Sequence, residues 1–92
     1  MKFDPGKLVM TRGVYELASV NKKFDEHVRL SMLRHLAGDW GELCDEDRVA
    51  NELALQEEGR LFSVYKRDGL PAIWIITEWD RSVTTVLFPD EY

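Results

Sequence analysis

Two hydrophobic periods divide this 92-residue chain near Gly59. Before it, apolar positions recur every three or four residues; after it, they alternate or run together in short β-branched segments. Residues 1–59 therefore read as mainly helical and residues 60–88 as strands. The clearest helix spans about Lys22 to Ala37. Phe24, Val28, Met32 and Leu36 share one face, Asn21 can cap the free amides, and Gly38 can turn left-handed at the end. A shorter helix, about Arg12 to Ser19, starts at the cap residue Thr11, although Gly13 weakens it. A third, about Glu46 to Glu58, follows Asp45 and ends at Gly59. Its thin stripe of Val49, Ala50 and Leu53 is expected to face the core. Lys7–Met10 suits a short edge strand.

The C-terminal third carries a stronger pattern. Arg60–Lys66, Ile73–Glu78 and Val83–Phe88 are rich in β-formers. Asp68-Gly69 is a hairpin signal, and Asp80-Arg81 marks a second turn. A two-residue loop at Asp68-Gly69 sets Phe62 opposite Ile75 and Val64 opposite Ile73. It also puts Trp74 and Ile76 on one face with Tyr65 and Leu61. The expected fold is α+β in one domain, 1–92: N-terminal helices, then a three-stranded antiparallel β-meander. Trp40, between Gly38 and Gly41, is expected to be a core anchor.

Composition narrows the class. Apolar residues make up 45% and charged residues 32%, an ordinary globular balance. The longest apolar run, Ala72–Ile76, is far short of the ~20 residues that cross a bilayer. With one cysteine, Cys44, no internal disulfide forms. These features set the expectation of a cytoplasmic protein without a membrane partner. A net charge of −5 argues against direct nucleic-acid binding.

Candidate chemistry is sparse. There is no GxGxxG, P-loop, GxSxG or HExxH pattern. Cys44 precedes a helix N-terminus, where a thiolate is favoured, but the histidines at 27 and 35 have no third partner. His35, Asp39 and Cys44 lack the paired spacing of a zinc site. Glu78 and Asp80 flank Trp79 near a turn and can divide acid and base roles only in a pocket that separates their pKa values. The expectation is a non-enzyme without metal or cofactor. Lys22, Lys23, Arg29 and Arg34 are interspersed with Asp25 and Glu26, as on a solvated helix face.

The acids are concentrated. Asp39, Glu42, Asp45, Glu46, Asp47, Glu52, Glu57 and Glu58 lie within residues 39–58, where Arg48 is the sole base, giving −7. The other 72 residues hold nine acids and eleven bases, +2. Carboxylates ranged on a helix can stand where DNA phosphates would, and a single-sign field steers docking. These eight acids, with Tyr65 or Trp74 as an apolar anchor, are the expected contacts to a protein partner with a basic, nucleic-acid-binding surface.

Leu8–Val14 (LVMTRGV), His35–Asp47 (HLAGDWGELCDED) and Ile73–Tyr92 (IWIITEWDRSVTTVLFPDEY) resemble a family of small bacterial proteins from plasmids, prophages and other mobile elements. The resemblance covers nearly the whole chain and carries no assigned functional residues. It implies a setting of mobile DNA and host defence, in which small acidic proteins include anti-CRISPR and anti-restriction inhibitors. The expected function is inhibition of a CRISPR or restriction component through an anionic, DNA-mimic-like face. The alternative is an accessory or regulatory interaction module of a plasmid or prophage.

Overall fold

A computed structural model describes residues 1–92. The elements run β1 (Lys7–Met10), α1 (Arg12–Val20), α2 (Lys22–Leu36), α3 (Asp45–Glu57), β2 (Leu61–Arg67), β3 (Leu70–Thr77) and β4 (Val83–Leu87). A single 3-10 turn, Pro89–Glu91, closes the chain. The class is α+β, but the expected three-stranded antiparallel meander is overturned. The sheet has four strands in the order β1-β4-β3-β2 and is mixed, since β1 runs parallel to β4. The helices thus follow a first strand instead of preceding the whole sheet. The N-terminus is tied into the sheet by long-range bonds: Lys7 N–H donates to the Ser82 carbonyl, Thr11 N–H to that of Val86, and the Thr84 hydroxyl to that of Pro5.

The register of the hairpin is also corrected. Arg67 pairs with Leu70 across Asp68-Gly69, as a two-residue loop requires, but Tyr65 pairs with Ile73. Pro71 and Ala72 therefore both face Lys66. Proline has no N–H for the ladder, and a bulge is where a sheet accommodates it. The one-residue slip exchanges faces for everything beyond it. Phe62 pairs with Ile76 and Val64 with Trp74, not with Ile75 and Ile73. Tyr65 and Leu61 consequently lie on the opposite face from Trp74.

The face bearing Leu61, Ser63, Tyr65, Ile73, Ile75 and Thr77 is covered by helices. Val14 of α1 and Phe24 and Val28 of α2 pack there against Tyr65, Ile73, Ile75 and Val86. Each fully buried side chain of this kind contributes about 1.5–3 kcal/mol of transfer free energy. α2 has the boundaries its sequence signals gave: Asn21 Oδ1 accepts from the Phe24 amide at 3.0 Å, and Gly38 follows at φ +81°. Thr11 caps α1 by accepting from Val14 N–H. Its hydroxyl donates to Glu91 Oε1 at 2.7 Å. A Cβ at Gly13 would meet the Glu91 carboxylate at 2.6 Å, at the end of a side chain that would have to shift to admit it.

A second cluster holds Trp40, Leu43, Ala54 and Leu61 under α3, with Phe3 against it. Trp40 is the core anchor that the sequence suggested, 3% exposed and stacked on Phe3. α3 itself is turned around. Val49 is 59% and Leu53 52% exposed, while Asn51 and Ala54 are buried. The reason is polar docking: Asn51 Nδ2 donates to the Phe62 carbonyl at 2.7 Å, and Asn51 Oδ1 accepts from the Phe62 amide at 3.1 Å. Two backbone groups of β2 are satisfied by one side chain, and this orients the helix more strongly than a thin apolar stripe does. Glu58, not Gly59, takes the left-handed position at the end of α3, with φ 57°. Arg81 secures that end. Its guanidinium donates to the carbonyls of Ala54, Gly59 and Glu78, and its positive charge suits the negative, C-terminal end of the helix dipole.

Candidate functional site

The −7 segment separates into carboxylates that hold the fold and carboxylates that face water. Asp39 forms a two-point ion pair with Arg34 at 2.8 and 3.2 Å and accepts from the Gly41 amide. The Arg34 guanidinium holds its carboxyl below the usual carboxylate range. Glu42 reaches across to accept the Lys66 amide at 3.1 Å. Glu52 accepts from Trp40 Nε1 at 2.8 Å. Asp47 accepts from the Cys44 thiol. Asp45, Glu46, Glu57 and Glu58 enter no ion pair or side-chain hydrogen bond.

The Trp40–Glu42 turn runs beside β2 as a short parallel bridge. The Glu42 amide donates to the Val64 carbonyl at 2.7 Å, and the Val64 amide donates to the Trp40 carbonyl. A Cβ at Gly41, where φ is +73°, would collide with the Val64 carbonyl, so only glycine allows this approach.

At about 100° per residue, the outward face of α3 is read directly. Val49 and Leu53 stand at its centre. Asp45 and Glu52 border them on one side, and Glu46 and Glu57 on the other. The result is two exposed apolar side chains ringed by carboxylates, above a helix that docks by its opposite side. Three carboxylates in the first turn, Asp45, Glu46 and Asp47, also favour the helix by about 0.3–1 kcal/mol each through the dipole.

The expected anchors are placed differently from each other. Tyr65 is fully buried; its hydroxyl donates to the Asp39 carbonyl at 2.6 Å, and burial pushes its ionisation well above the ordinary range. Arg34 lies over its ring at 5.0 Å. Trp74 is half-buried on the sheet face away from the helices. It packs edge-on against Phe62 and Tyr92 in a cavity of about 310 Å³ that Arg60 and Ile76 complete. α3 borders β2, and Trp74 lies one strand further in.

The other candidate residues are not brought together. Cys44 is exposed at the start of α3. Glu78 lies 4.0 Å from Arg60, and Asp80 accepts from the Ser82 amide within its turn. His35 is fully buried between Ser63 Oγ and Thr77 Oγ1, away from Asp39 and Cys44. No group of three or more His, Cys, Asp or Glu has metal-binding geometry. His27 is buried, and its Nε2 has no hydrogen-bond partner; burial and then Arg67 lower its pKa.

Sequence reasoning missed the outward turn of Val49 and Leu53. The available signal was the position of Asp45, Glu46 and Glu57 around them, since a core-facing stripe is not ringed by acids. Asn51 and Arg81 carried no periodic signal at all. Comparisons with protein-family models, with curated proteins and with solved structures find no match.

Proposed function

We propose that this is a non-catalytic docking protein that uses the outward face of α3 to occupy a basic, nucleic-acid-binding surface on a protein partner. In the setting implied by the mobile-element resemblance, that partner is a CRISPR or restriction component, and occupation inhibits it. The observation that carries this reading is the pairing on α3 of unpartnered carboxylates with exposed Val49 and Leu53. Asp45, Glu46 and Glu57 supply the charge. Glu52 borders the same face while held by Trp40. Asp39 and Glu42 are engaged within the fold and contribute only to the field.

Magnitudes divide the work. An exposed ion pair contributes about 0–1 kcal/mol, so three or four of them do not make a tight complex. They raise the association rate and make it sensitive to salt. Full burial of a Val or Leu side chain is worth about 1.5–3 kcal/mol, and roughly half of that remains to be gained at Val49 and Leu53. The apolar pair therefore sets the dissociation rate.

The test is protection of phage or plasmid DNA in hosts carrying defined CRISPR or restriction systems. Glu46→Lys/Glu57→Lys is compared with Val49→Ser/Leu53→Ser, both checked for folding by circular dichroism. Loss of protection in both variants is expected. Full protection by either folded variant removes α3 from the mechanism. A wild type that protects against no system removes the inhibitor reading and leaves the accessory-module alternative.

A further inference from the structure

The sheet face away from the helices carries a cavity walled by aromatic rings. Phe62 pairs with Ile76, which makes Trp74 its diagonal neighbour on the same face, and the two rings meet edge-on at 5.0 Å. Tyr92 closes another side, 5.7 Å from Trp74, and Ile76, 3% exposed, forms the apolar floor. Each wall is fixed by a separate device. Asn51 holds the amide and carbonyl of Phe62. Trp74 pairs with Leu87 on the neighbouring strand. Tyr92 is brought back over the sheet by the closing 3-10 turn, where Glu91 Oε1 accepts from the Phe88 amide at 2.8 Å and the Thr11 hydroxyl at 2.7 Å. The cavity is therefore formed before anything enters it, which spares a ligand the cost of ordering its walls. At about 310 Å³ it lies at the lower end of the small-molecule range of about 300–1,000 Å³, a size for one ring or a fused pair.

Arg60, on the rim, differs from every other arginine of the chain. Arg12, Arg29, Arg34 and Arg67 donate to carboxylates. Arg48 and Arg81 donate to backbone carbonyls. The Arg60 guanidinium makes one hydrogen bond, to the Tyr92 hydroxyl, and lies over that ring at 5.0 Å. Glu78 Oε1 stands 4.0 Å from its Nε, beyond hydrogen-bond distance. One of five N–H donors is used, so four remain in a planar fork of the shape that binds a carboxylate at two points.

We propose that this cavity binds a small, flat aromatic carboxylate, with its ring against Phe62 and Trp74 and its carboxylate in the Arg60 fork. The walls select a flat ring, because offset and edge-to-face aromatic contacts contribute beyond the area they bury. The guanidinium selects the anion, because a bidentate, charge-assisted pair is stronger than a neutral hydrogen bond. Glu78 is the competing carboxylate, and at 4.0 Å its contact is longer than the one the ligand makes. A net charge of −5 disfavours anions over the molecule as a whole, so binding depends on Arg60. The site shares no residue with the outward face of α3 and stands whether or not that face docks on a partner.

The probe is benzoate, titrated into the isotope-labelled protein and followed by the amide and indole signals of its NMR spectrum. Saturable shifts centred on Phe62, Trp74 and Ile76 are expected, with a dissociation constant of about 1 mM. Benzamide keeps the ring without the charge, and cyclohexanecarboxylate keeps the charge without the flat ring. Each is expected to bind about tenfold more weakly. Arg60→Gln is expected to weaken benzoate by about the same factor, and Arg60→Lys also weakens it, since an ammonium lacks the fork. Glu78→Gln is expected to tighten benzoate by about threefold, because it removes the competing carboxylate. The comparison of the three small molecules needs no variant, so the test stands even if a substituted protein fails to fold. Absence of saturable shifts at these residues up to about 10 mM benzoate overturns the proposal. So does equal binding of either analogue, or undiminished binding by folded Arg60→Gln.

Discussion

His35 Nε2 lies 2.9 Å from Thr77 Oγ1, and this bond settles which nitrogen carries the proton. The Thr84 hydroxyl donates to the Pro5 carbonyl, which can only accept. Thr77 must then donate to Thr84, at 2.7 Å, leaving its oxygen to accept from His35. His35 is accordingly the neutral Nε2–H tautomer, and its Nδ1 accepts from Ser63 Oγ. A second proton on the ring would make Nδ1 a donor, and the Ser63 hydroxyl would have to turn away and accept in place of donating. This buried chain joins α2, β2, β3, β4 and the N-terminal segment.

Stability is expected to fall with acid in a defined window. Burial lowers the His35 pKa from 6.5 to about 4. The unfolded chain therefore binds the proton more readily than the folded one. The stabilisation is complete above pH 6.5 and is lost as pH falls toward 4, up to about 3 kcal/mol at about 1.4 kcal/mol per unit. His27, also lowered, adds the same sign. Urea titrations at several pH values check this, and His35→Gln should flatten the slope.

Asn51→Leu is expected to destabilise the protein by about 1–3 kcal/mol, although leucine is apolar and similar in size. It leaves the amide and carbonyl of Phe62 without partners beneath α3. It should also uncover the β2 edge and promote aggregation on heating. Urea midpoints and light scattering during a melt measure the two effects.

Arg81→Lys is expected to lower the melting temperature despite keeping the charge. One guanidinium reaches carbonyls on α3, the Gly59 turn and the Glu78 turn; an ammonium on a flexible stem does not span them. Loss of one or two charge-assisted bonds is worth about 1.5–3 kcal/mol each. Calorimetry gives the shift.

Glu58→Gly is expected to stabilise by about 0.5–1 kcal/mol. Glu58 adopts φ 57°, a conformation with no steric cost for glycine, and a carboxylate at a helix C-terminus opposes the dipole. A rise of a few degrees in melting temperature checks it.

Trp40→Ala is expected to cost about 3–5 kcal/mol, enough to unfold a domain of this size. Glu52→Gln keeps an acceptor for Trp40 Nε1 and is expected to fold normally. Thermal melts of the two variants separate the packing of the ring from the charge of its partner.

Local signals determined the local structure of this chain. Asn21 and Gly38 bound α2 because capping and left-handed termination act within a turn of the helix. Asp68-Gly69 placed the hairpin for the same reason, and the β-branched runs marked three of the four strands. Trp40 between two glycines could be read as an inward fold of the chain. The concentration of acid in residues 39–58 was visible in the sequence as well.

Tertiary structure decided what depends on distant partners. Four residues at Lys7–Met10 have too little pattern to name a neighbour, and β4 lies more than seventy positions away. Pro71 sits where the hairpin register slips, and that slip sent Tyr65 into the core and Trp74 to the other face. Asn51 turned α3 over by bonding to backbone, an interaction without periodicity. The same event separated Glu52, bonded to a buried indole, from Glu46 and Glu57, which face water. Charge was therefore countable from composition, whereas its availability to a partner depended on which carboxylates the fold had already engaged.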